Sequence, residues 1–193
     1  MTAQAIVLAM HGVPPRDFPA RELAEFLRLH MGLEHSSLAQ PASASGPAGT
    51  AVAAERQRYV DLEARVRCWP RNADNDPFHV ASLELARDLE QVVRCPVLVG
   101  FNEFCAPSLD EALQRAITDG AEKVIVVTPM MTRGGEHAEA DIPAAIHRAQ
   151  ERHPDVRIQY AWPFDSGDVA RFLAEQIARR TENGPSSTKG QLN

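Results

Sequence analysis

The chain of 193 residues has few cysteines, few aromatic residues, no excess of basic residues and no long apolar run. Its three cysteines, Cys68, Cys95 and Cys105, are widely spaced, so neither a disulfide framework nor a thiolate zinc site is predicted. A formal net charge of −6 argues against nucleic-acid binding. No segment approaches the ~20 apolar residues that a membrane span needs. No basic stretch precedes the first apolar run, so a signal peptide is not predicted. Together these features predict a cytoplasmic protein without membrane or nucleic-acid partners.

Short apolar runs alternate with amphipathic segments along most of the chain. The runs typical of strands cover residues 5–10, 96–101, 123–128 and 156–161. The first three are nearly continuous and rich in Val and Ile, as in parallel strands that are buried on both faces. Segments with helical spacing of apolar residues cover 80–93, 109–117, 142–149 and 169–177. This alternation predicts an α/β fold with a four-stranded parallel sheet.

A segment too long for one crossover separates the first two strands. We predict a helical insertion over residues 14–76, with two amphipathic helices joined by a flexible loop, residues 36–54, that is rich in Ser, Ala, Pro and Gly. The insertion could be a lid, a dimer arm or inert decoration. Residues 1–180 are predicted to form a single domain, and the polar residues 181–193 a disordered tail.

Polar residues follow three of the predicted strands. His11 and Gly12 follow the first, Asn102 and Glu103 the second, and a Gly-rich turn leads from the third to His137. In open parallel sheets, ligands bind outside the carboxyl ends of the strands. Imidazole together with a carboxylate suits Co, Ni, Fe, Zn and Cu.

Each of these residues also has a plainer explanation. A histidine at a strand end is more often a structural hydrogen-bonding residue, Glu103 could cap a helix or face solvent, and His137 could lie on the surface. The coincidence of all three at one sheet edge favours a site. We therefore predict that His11, Glu103 and His137 bind a metal and are catalytic.

The turn before His137 contains Arg133, Gly134 and Gly135. A glycine pair before a helix can bind an anion through backbone N–H groups, or it can simply make a turn. Arg133 beside it makes carboxylate binding plausible, and both interpretations stay open. The remaining histidines are predicted to lie on the surface: His30, His35, His79, His147 and His153.

A second class of enzyme also has a His-Gly after its first strand, namely the histidine phosphatases and mutases. Their chemistry needs an arginine beside the histidine to hold phosphate, whereas Met10 stands there in this chain. The sequence also has no G-x-x-x-x-G-K-[ST] motif, so neither ATP nor another nucleotide is predicted as a cofactor.

Three motifs together resemble the CbiX/SirB class II sirohydrochlorin chelatases, in a short, single-copy form with an insertion. They are the strand followed by His11-Gly12, the Phe-Asn-Glu-Phe-Cys-Ala-Pro segment at 101–107, and Thr-Arg-Gly-Gly-Glu-His-Ala-Glu-Ala-Asp-Ile-Pro at 132–143. The resemblance covers the first dozen residues and about 78–175. It implies a chelatase-like three-layer sandwich.

The resemblance also implies a function. That function is ATP-independent insertion of Co²⁺, or alternatively Fe²⁺ or Ni²⁺, into sirohydrochlorin during cobalamin or siroheme-type tetrapyrrole biosynthesis. His11 and His137 would bind the metal and help to accept the pyrrole protons, with Glu103 assisting. The alternative is a non-catalytic metal- or tetrapyrrole-binding protein on the same fold.

The sequence departs from the family in two places. The insertion has no counterpart in the shortest members, and Pro163-Phe-Asp-Ser replaces the His-Pro that often follows the fourth strand. Larger chelatases have two similar α/β halves, whereas this sequence has one set of four strands. The missing lobe would come from the insertion or from a second subunit, and we predict a homodimer.

Overall fold

The computed structural model describes residues 3–35 and 47–182. In chain order the elements are β1 (Gln4–Met10), α1 (Ala20–His35), α2 (Pro47–Arg67), α3 (Pro77–Val93), β2 (Val97–Phe101), α4 (Leu109–Thr118), β3 (Lys123–Val127), a π-helix (His137–Asp141), α5 (Ile142–Arg152), β4 (Arg157–Tyr160) and α6 (Ser166–Glu182). None of the helices in these ranges is long and apolar enough to cross a bilayer.

The four strands form one parallel sheet in the order β2-β1-β3-β4. Val7 of β1 pairs with Leu98 of β2 on one side and with Val126 of β3 on the other. The parallel four-stranded sheet predicted from the apolar runs is confirmed. The chain adds β2 on one side of β1 and then adds β3 and β4 on the other side. The switch point of the sheet therefore lies between β1 and β3, which is where ligands bind in sheets of this order.

Helices cover both faces of the sheet. Val7 and Ala9 of β1 point into a core shared with α4 and α5, while Leu8 and Met10 point to the opposite face and pack with Ala86 of α3. Successive side chains of a strand alternate between faces, so the continuous apolar run of β1 serves two cores. The three-layer arrangement is confirmed.

The ends of two helices are fixed by local side-chain bonds. Ser108 and Glu111 form the capping box at the start of α4 that their spacing indicates. Asp76 caps α3 by accepting a hydrogen bond from the His79 N–H, with Pro77 in the first turn.

The insertion consists of α1 and α2, which pack around a separate apolar cluster that includes Phe26, Leu29, Leu62 and Val66. The prediction of a flexible loop over 36–54 is wrong for residues 47–54. There α2 already begins at Pro47, because proline is tolerated in a first turn and alanine favours helix. Residues 36–46 lie outside the described part of the chain.

The C-terminal helix extends slightly further than expected. The predicted disordered tail is wrong at residues 181 and 182, since α6 ends at Glu182 and the Thr181 hydroxyl donates to the carbonyls of Ile177 and Ala178. The rest of the predicted tail, residues 183–193, lies outside the described residues.

Candidate metal site

Three side chains, carried by the segments that follow β1, β2 and β3, meet at the edge of the sheet. Nε2 of His137 lies 2.8 Å from Oε1 of Glu103, and Nε2 of His11 lies 3.4 Å from the same oxygen. The two imidazole rings meet edge to face, with their centroids 4.4 Å apart. One ligand atom from each residue lies within 4.8 Å of the others. The residues that we predicted to form a site are therefore adjacent, at the β1–β3 switch point.

Backbone hydrogen bonds place Glu103 opposite His11. The Asn102 N–H donates to the Met10 carbonyl over 2.9 Å, and the Glu103 N–H donates to the His11 carbonyl over 3.1 Å. These bonds continue the pairing of β1 and β2 beyond the ends of the strands. Gly12 allows this close approach because it has φ +101° and no side chain.

His137 is oriented by the unusual helical turn that it begins. The Ile142 N–H donates to the His137 carbonyl, which closes a π-type turn, a local distortion that is frequent at functional sites. This turn places Oδ2 of Asp141 2.6 Å from Nδ1 of His137. A carboxylate on Nδ1 leaves Nε2 available as a metal ligand, which is a common arrangement around metal-binding histidines.

His11, like His137, directs its Nε2 toward Glu103. Its Nδ1 lies 2.5 Å from the carbonyl oxygen of Gly12, so Nε2 faces Glu103. The His11 side chain is 45% exposed, whereas those of His137 and Glu103 are 24% and 18% exposed. The site is therefore open on the His11 side, from which a large ligand can approach it.

The N–H donors of Arg133 and Gly134 in the Gly-rich turn face Glu139 of the same segment. The Gly134 N–H donates to Oε1 of Glu139 over 2.9 Å, and Nε of Arg133 lies 3.4 Å from the same oxygen. The Gly134 hydrogen bond, together with Arg133, lowers the pKa of Glu139. The structure thus shows the glycines in a turn closed by Glu139. Binding of an external carboxylate by Arg133, Gly134 and Gly135 stays a prediction.

One histidine that we expected on the surface lies at the site. The side chain of His30 in α1 is 26% exposed, and its Nε2 is 3.8 Å from Oε2 of Glu103. The surface prediction for His30 is wrong because α1 packs against the site with the face that carries Phe26, one turn earlier. That i, i+4 spacing was the available signal.

The other histidines differ in exposure. His147 is exposed as predicted. The prediction is wrong for His79, which is half-buried and stacks on Phe101. His153 is partly covered but lies at the surface, with its Nε2 2.9 Å from Oε1 of the exposed Gln114. The side chain of His35 lies outside the described part of the chain.

A cavity of about 260 Å³ lies between the insertion and the sheet edge. Its lining includes Tyr59 of α2, His30 of α1, Glu103 and His137. Burial, followed by the charge of Glu63, raises the pKa of Tyr59 to about 12. The insertion thus forms one wall of the candidate site.

A buried arginine supports the loops beneath the site. Arg71 donates to the carbonyls of Val13 and Val66, over 2.8 and 2.9 Å, and also to the carbonyl of Phe104. Its charge is paired with Asp76, and the two side chains are only 4% and 0% exposed. Arg71 therefore joins the last turn of α2 to the segments that follow β1 and β2.

The donor set has a definite chemical character. Two imidazoles and one carboxylate suit borderline divalent ions such as Co²⁺, Fe²⁺, Ni²⁺ and Zn²⁺. Three protein ligands leave at least one coordination position open, as in sites where the metal reacts rather than stabilises the fold.

A family model described as CbiX matches residues 77–181, which is more than half of the chain. This chain belongs to the CbiX family. The match includes Glu103 and His137, whereas His11 and the insertion helices α1 and α2 precede it.

Two proteins of Priestia megaterium are among the similar relatives. The sirohydrochlorin ferrochelatase is 31% identical over 80 residues, 41% of this chain and 30% of that protein. The sirohydrochlorin cobaltochelatase is 35% identical over 84 residues, 43% of this chain and 27% of that protein. This CbiX-family chain thus matches less than a third of the length of either relative.

Solved structures with similar chains include SirB of Bacillus subtilis subspecies spizizenii in complex with cobalt. It is 18% identical, covers 92% of this chain and 51% of its own, and has a TM-score of 0.43. SirB of Bacillus subtilis with Fe³⁺ is 18% identical, covers 92% of this chain and 47% of its own, and has a TM-score of 0.44.

Proposed function

We propose that this chain inserts a divalent metal ion into sirohydrochlorin without using ATP, with Co²⁺ as the first choice and Fe²⁺ or Ni²⁺ as alternatives. The observation that carries the proposal is the cluster of His11, Glu103 and His137, whose ligand atoms lie within 4.8 Å of one another. Membership of the CbiX family supports it, and the similar relatives include both a cobaltochelatase and a ferrochelatase. The product would enter cobalamin or siroheme-type biosynthesis.

In this proposal the metal is a substrate that the protein binds and then releases. His137, restrained by Asp141, and Glu103 hold the ion on the more buried side, and His11 binds it on the open side. Imidazole and a single carboxylate bind Co²⁺ without the strong retention of a thiolate site, so the ion can pass to the macrocycle.

The macrocycle loses two N–H protons as the metal enters it. Imidazole is a suitable acceptor near neutral pH, and each histidine becomes free to take a proton once the metal has left its Nε2. His11 is the more exposed of the two and is our first candidate for this step. We also propose that Arg133, whose side chain is 73% exposed, and the Gly134-Gly135 turn bind a carboxylate of the tetrapyrrole.

We propose a cytoplasmic location, which agrees with the three unpaired cysteines Cys68, Cys95 and Cys105. The alternative function is non-catalytic binding of metal or tetrapyrrole on the same fold. Absorbance changes of sirohydrochlorin decide between the two when tetrapyrrole and Co²⁺ are both in large excess over protein. Continued conversion supports the chelatase, whereas a change that stops at one equivalent of protein supports the binding protein.

Substitution of the two histidines tests the assignment of the site. His11→Ala and His137→Ala should each lower turnover by at least ~100-fold, because loss of a ligand should cost at least as much as loss of its supporting residue. His147→Ala removes an exposed histidine outside the site and serves as the matched control. Turnover near that of the unsubstituted protein in either variant would remove that histidine from the site.

A further inference from the structure

We propose that His30, a residue of the insertion, is a positioning residue that holds one carboxylate oxygen of Glu103, so that the metal binds only the other oxygen. This inference rests on the proposed function. It also assigns a role to the insertion, which lies outside the matched CbiX region.

The two oxygens of Glu103 face different partners. Oε1 lies 2.8 Å from Nε2 of His137 and 3.4 Å from Nε2 of His11, whereas Oε2 lies 3.8 Å from Nε2 of His30. His30 thus contacts the carboxylate oxygen for which the structure gives no contact with His11 or His137. Glu103 therefore connects the predicted ligand set to the insertion.

The ring of His30 is itself held in place. Its Nδ1 lies 3.3 Å from the Tyr59 hydroxyl, and its ring packs against those of Phe26 and Tyr59 at centroid distances of 5.8 and 6.0 Å, while these two rings also stack on each other at 5.4 Å. Phe104, next to Glu103, adds a tilted contact at 6.1 Å. Phe26 is almost fully buried in the core of the insertion, so the position of His30 is fixed by packing as well as by its polar partner.

The insertion also holds the backbone that carries Glu103. The Arg67 guanidinium at the end of α2 donates to the Cys105 carbonyl over 3.1 Å, and the Ala106 N–H donates back to the Arg67 carbonyl over 3.2 Å. These bonds, together with the bond from Arg71 to the Phe104 carbonyl, restrain residues 104–106, directly after Glu103. Both the main chain and the carboxylate of Glu103 are thus anchored by residues that precede the matched region.

Carboxylates bind metals through one oxygen or through two. With Oε2 held by His30, Glu103 presents Oε1 alone, which keeps the coordination number low and the ion easy to release. Without His30, Oε2 is free to rotate onto the metal and form a chelate. The insertion would thus favour transfer of the ion to the macrocycle over its retention.

Co²⁺ is the probe for this inference, because the intensity of its visible absorption bands falls as the coordination number rises. His30→Phe keeps the ring stack and removes the contact with Oε2, so we expect an at least about twofold loss of band intensity in the Co²⁺-loaded protein. We expect kcat to fall while KM for Co²⁺ stays equal or decreases. His30→Gln keeps an N–H donor and should restore both properties, and His147→Phe is the matched control at an exposed site.

Circular dichroism and thermal unfolding show whether each variant is folded. A folded His30→Phe variant with unchanged Co²⁺ bands and kcat overturns the inference, as does one that no longer binds Co²⁺. If the unsubstituted protein shows no Co²⁺ bands, the metal site and this inference are both overturned. Co²⁺ bands that respond to His30→Phe in a protein without turnover would reject the chelatase function and retain the positioning role.

Discussion

Gly12 lies directly against the backbone of Glu103. A Cβ at position 12 would be 1.9 Å from the carbonyl oxygen of Glu103, far inside van der Waals contact, and Gly12 also has φ +101°. The residue after His11 must therefore be a glycine for Glu103 to reach the imidazole. The His-Gly pair, which is weak as a sequence signal, has a steric reason in this structure.

Gly12→Ala should separate Glu103 from His11, because the new methyl group and the Glu103 carbonyl cannot occupy the same space. We expect at least ~10-fold weaker Co²⁺ binding, measured by titration, together with a loss of stability of about 1–3 kcal/mol from the left-handed backbone. Gly120→Ala is the control, since Gly120 has φ +98° but no atom within 4 Å of the added Cβ. It should be destabilised while binding Co²⁺ normally; equal loss of binding in both variants would contradict the steric explanation.

The strand ends made much of the site predictable from sequence. Apolar runs rich in Val and Ile indicate buried parallel strands, and the residues that follow such strands meet at one edge, which is why His11, Glu103 and His137 could be placed together. The position of His137 on a π-type turn was not predictable, because no local residue pattern distinguishes that turn from the start of an ordinary helix.

The contribution of the insertion was not predictable in the same way. The position of His30 depends on how α1 packs against a loop that is distant in sequence, and hydrophobic spacing specifies only which face of the helix is covered. Arg71 gave no signal either, since an arginine outside a helix or strand is ordinarily exposed. Its burial follows from the three backbone carbonyls and the carboxylate of Asp76 that converge on it.

Asp141 should support the metal through His137. Asp141→Asn removes the negative charge that lies 2.6 Å from Nδ1 of His137, so Nε2, the proposed metal ligand, should be less well oriented and a weaker donor. We expect roughly 10- to 100-fold weaker Co²⁺ binding by titration, with the thermal unfolding temperature little changed. Asp155→Asn, on an exposed loop, is the control. Unchanged affinity in Asp141→Asn would mean that this carboxylate does not orient the ligand.

The buried pair of Arg71 and Asp76 should be a major determinant of stability. Asp76→Ala leaves the guanidinium of Arg71 buried without its carboxylate and removes the cap of α3, so we expect a loss of about 3–5 kcal/mol in the free energy of unfolding. Asp168→Ala breaks an exposed pair with Arg171 and should cost no more than ~1 kcal/mol. Chemical denaturation measures both; similar values for the two variants would contradict the role of the buried pair.

His79 should make the protein less stable in acid. Burial, which exceeds the opposing effect of Asp76, lowers the pKa of His79 below its usual value. The unfolded chain therefore binds a proton that the folded chain resists, and stability falls as the pH decreases through about 6.5, the usual pKa of histidine. His79→Phe keeps a ring against Phe101 and removes the titration, so its unfolding temperature should fall less between pH 7.5 and pH 5. An equal fall in both proteins would assign the acid sensitivity to other groups.

The last prediction concerns the second wall of the proposed tetrapyrrole site. Sirohydrochlorin is wide and flat, and the described part of the chain has a single four-stranded sheet with one His-Gly edge, so we expect a symmetric homodimer to enclose it. The alternative is that the insertion encloses the tetrapyrrole within a single chain, because α1 and α2 already form one wall of the cavity beside Glu103. In α6 the apolar side chains of Phe172, Leu173 and Ile177 are 45%, 50% and 64% exposed, and none of residues 166–181 is buried, so α6 is the surface that we expect the second copy to cover.

Sedimentation equilibrium at micromolar concentration tests the dimer. The unsubstituted protein should sediment as a dimer, and Leu173→Glu should convert it to single chains, because a charge replaces an apolar side chain at the centre of the α6 stripe. Val92→Glu places the same charge at a residue of α3 that is 78% exposed and lies outside α6, and it should leave the dimer intact. A single species near the chain mass of 21.2 kDa that still converts sirohydrochlorin would assign the second wall to the insertion. A dimer that resists Leu173→Glu would keep the homodimer and move its interface away from α6.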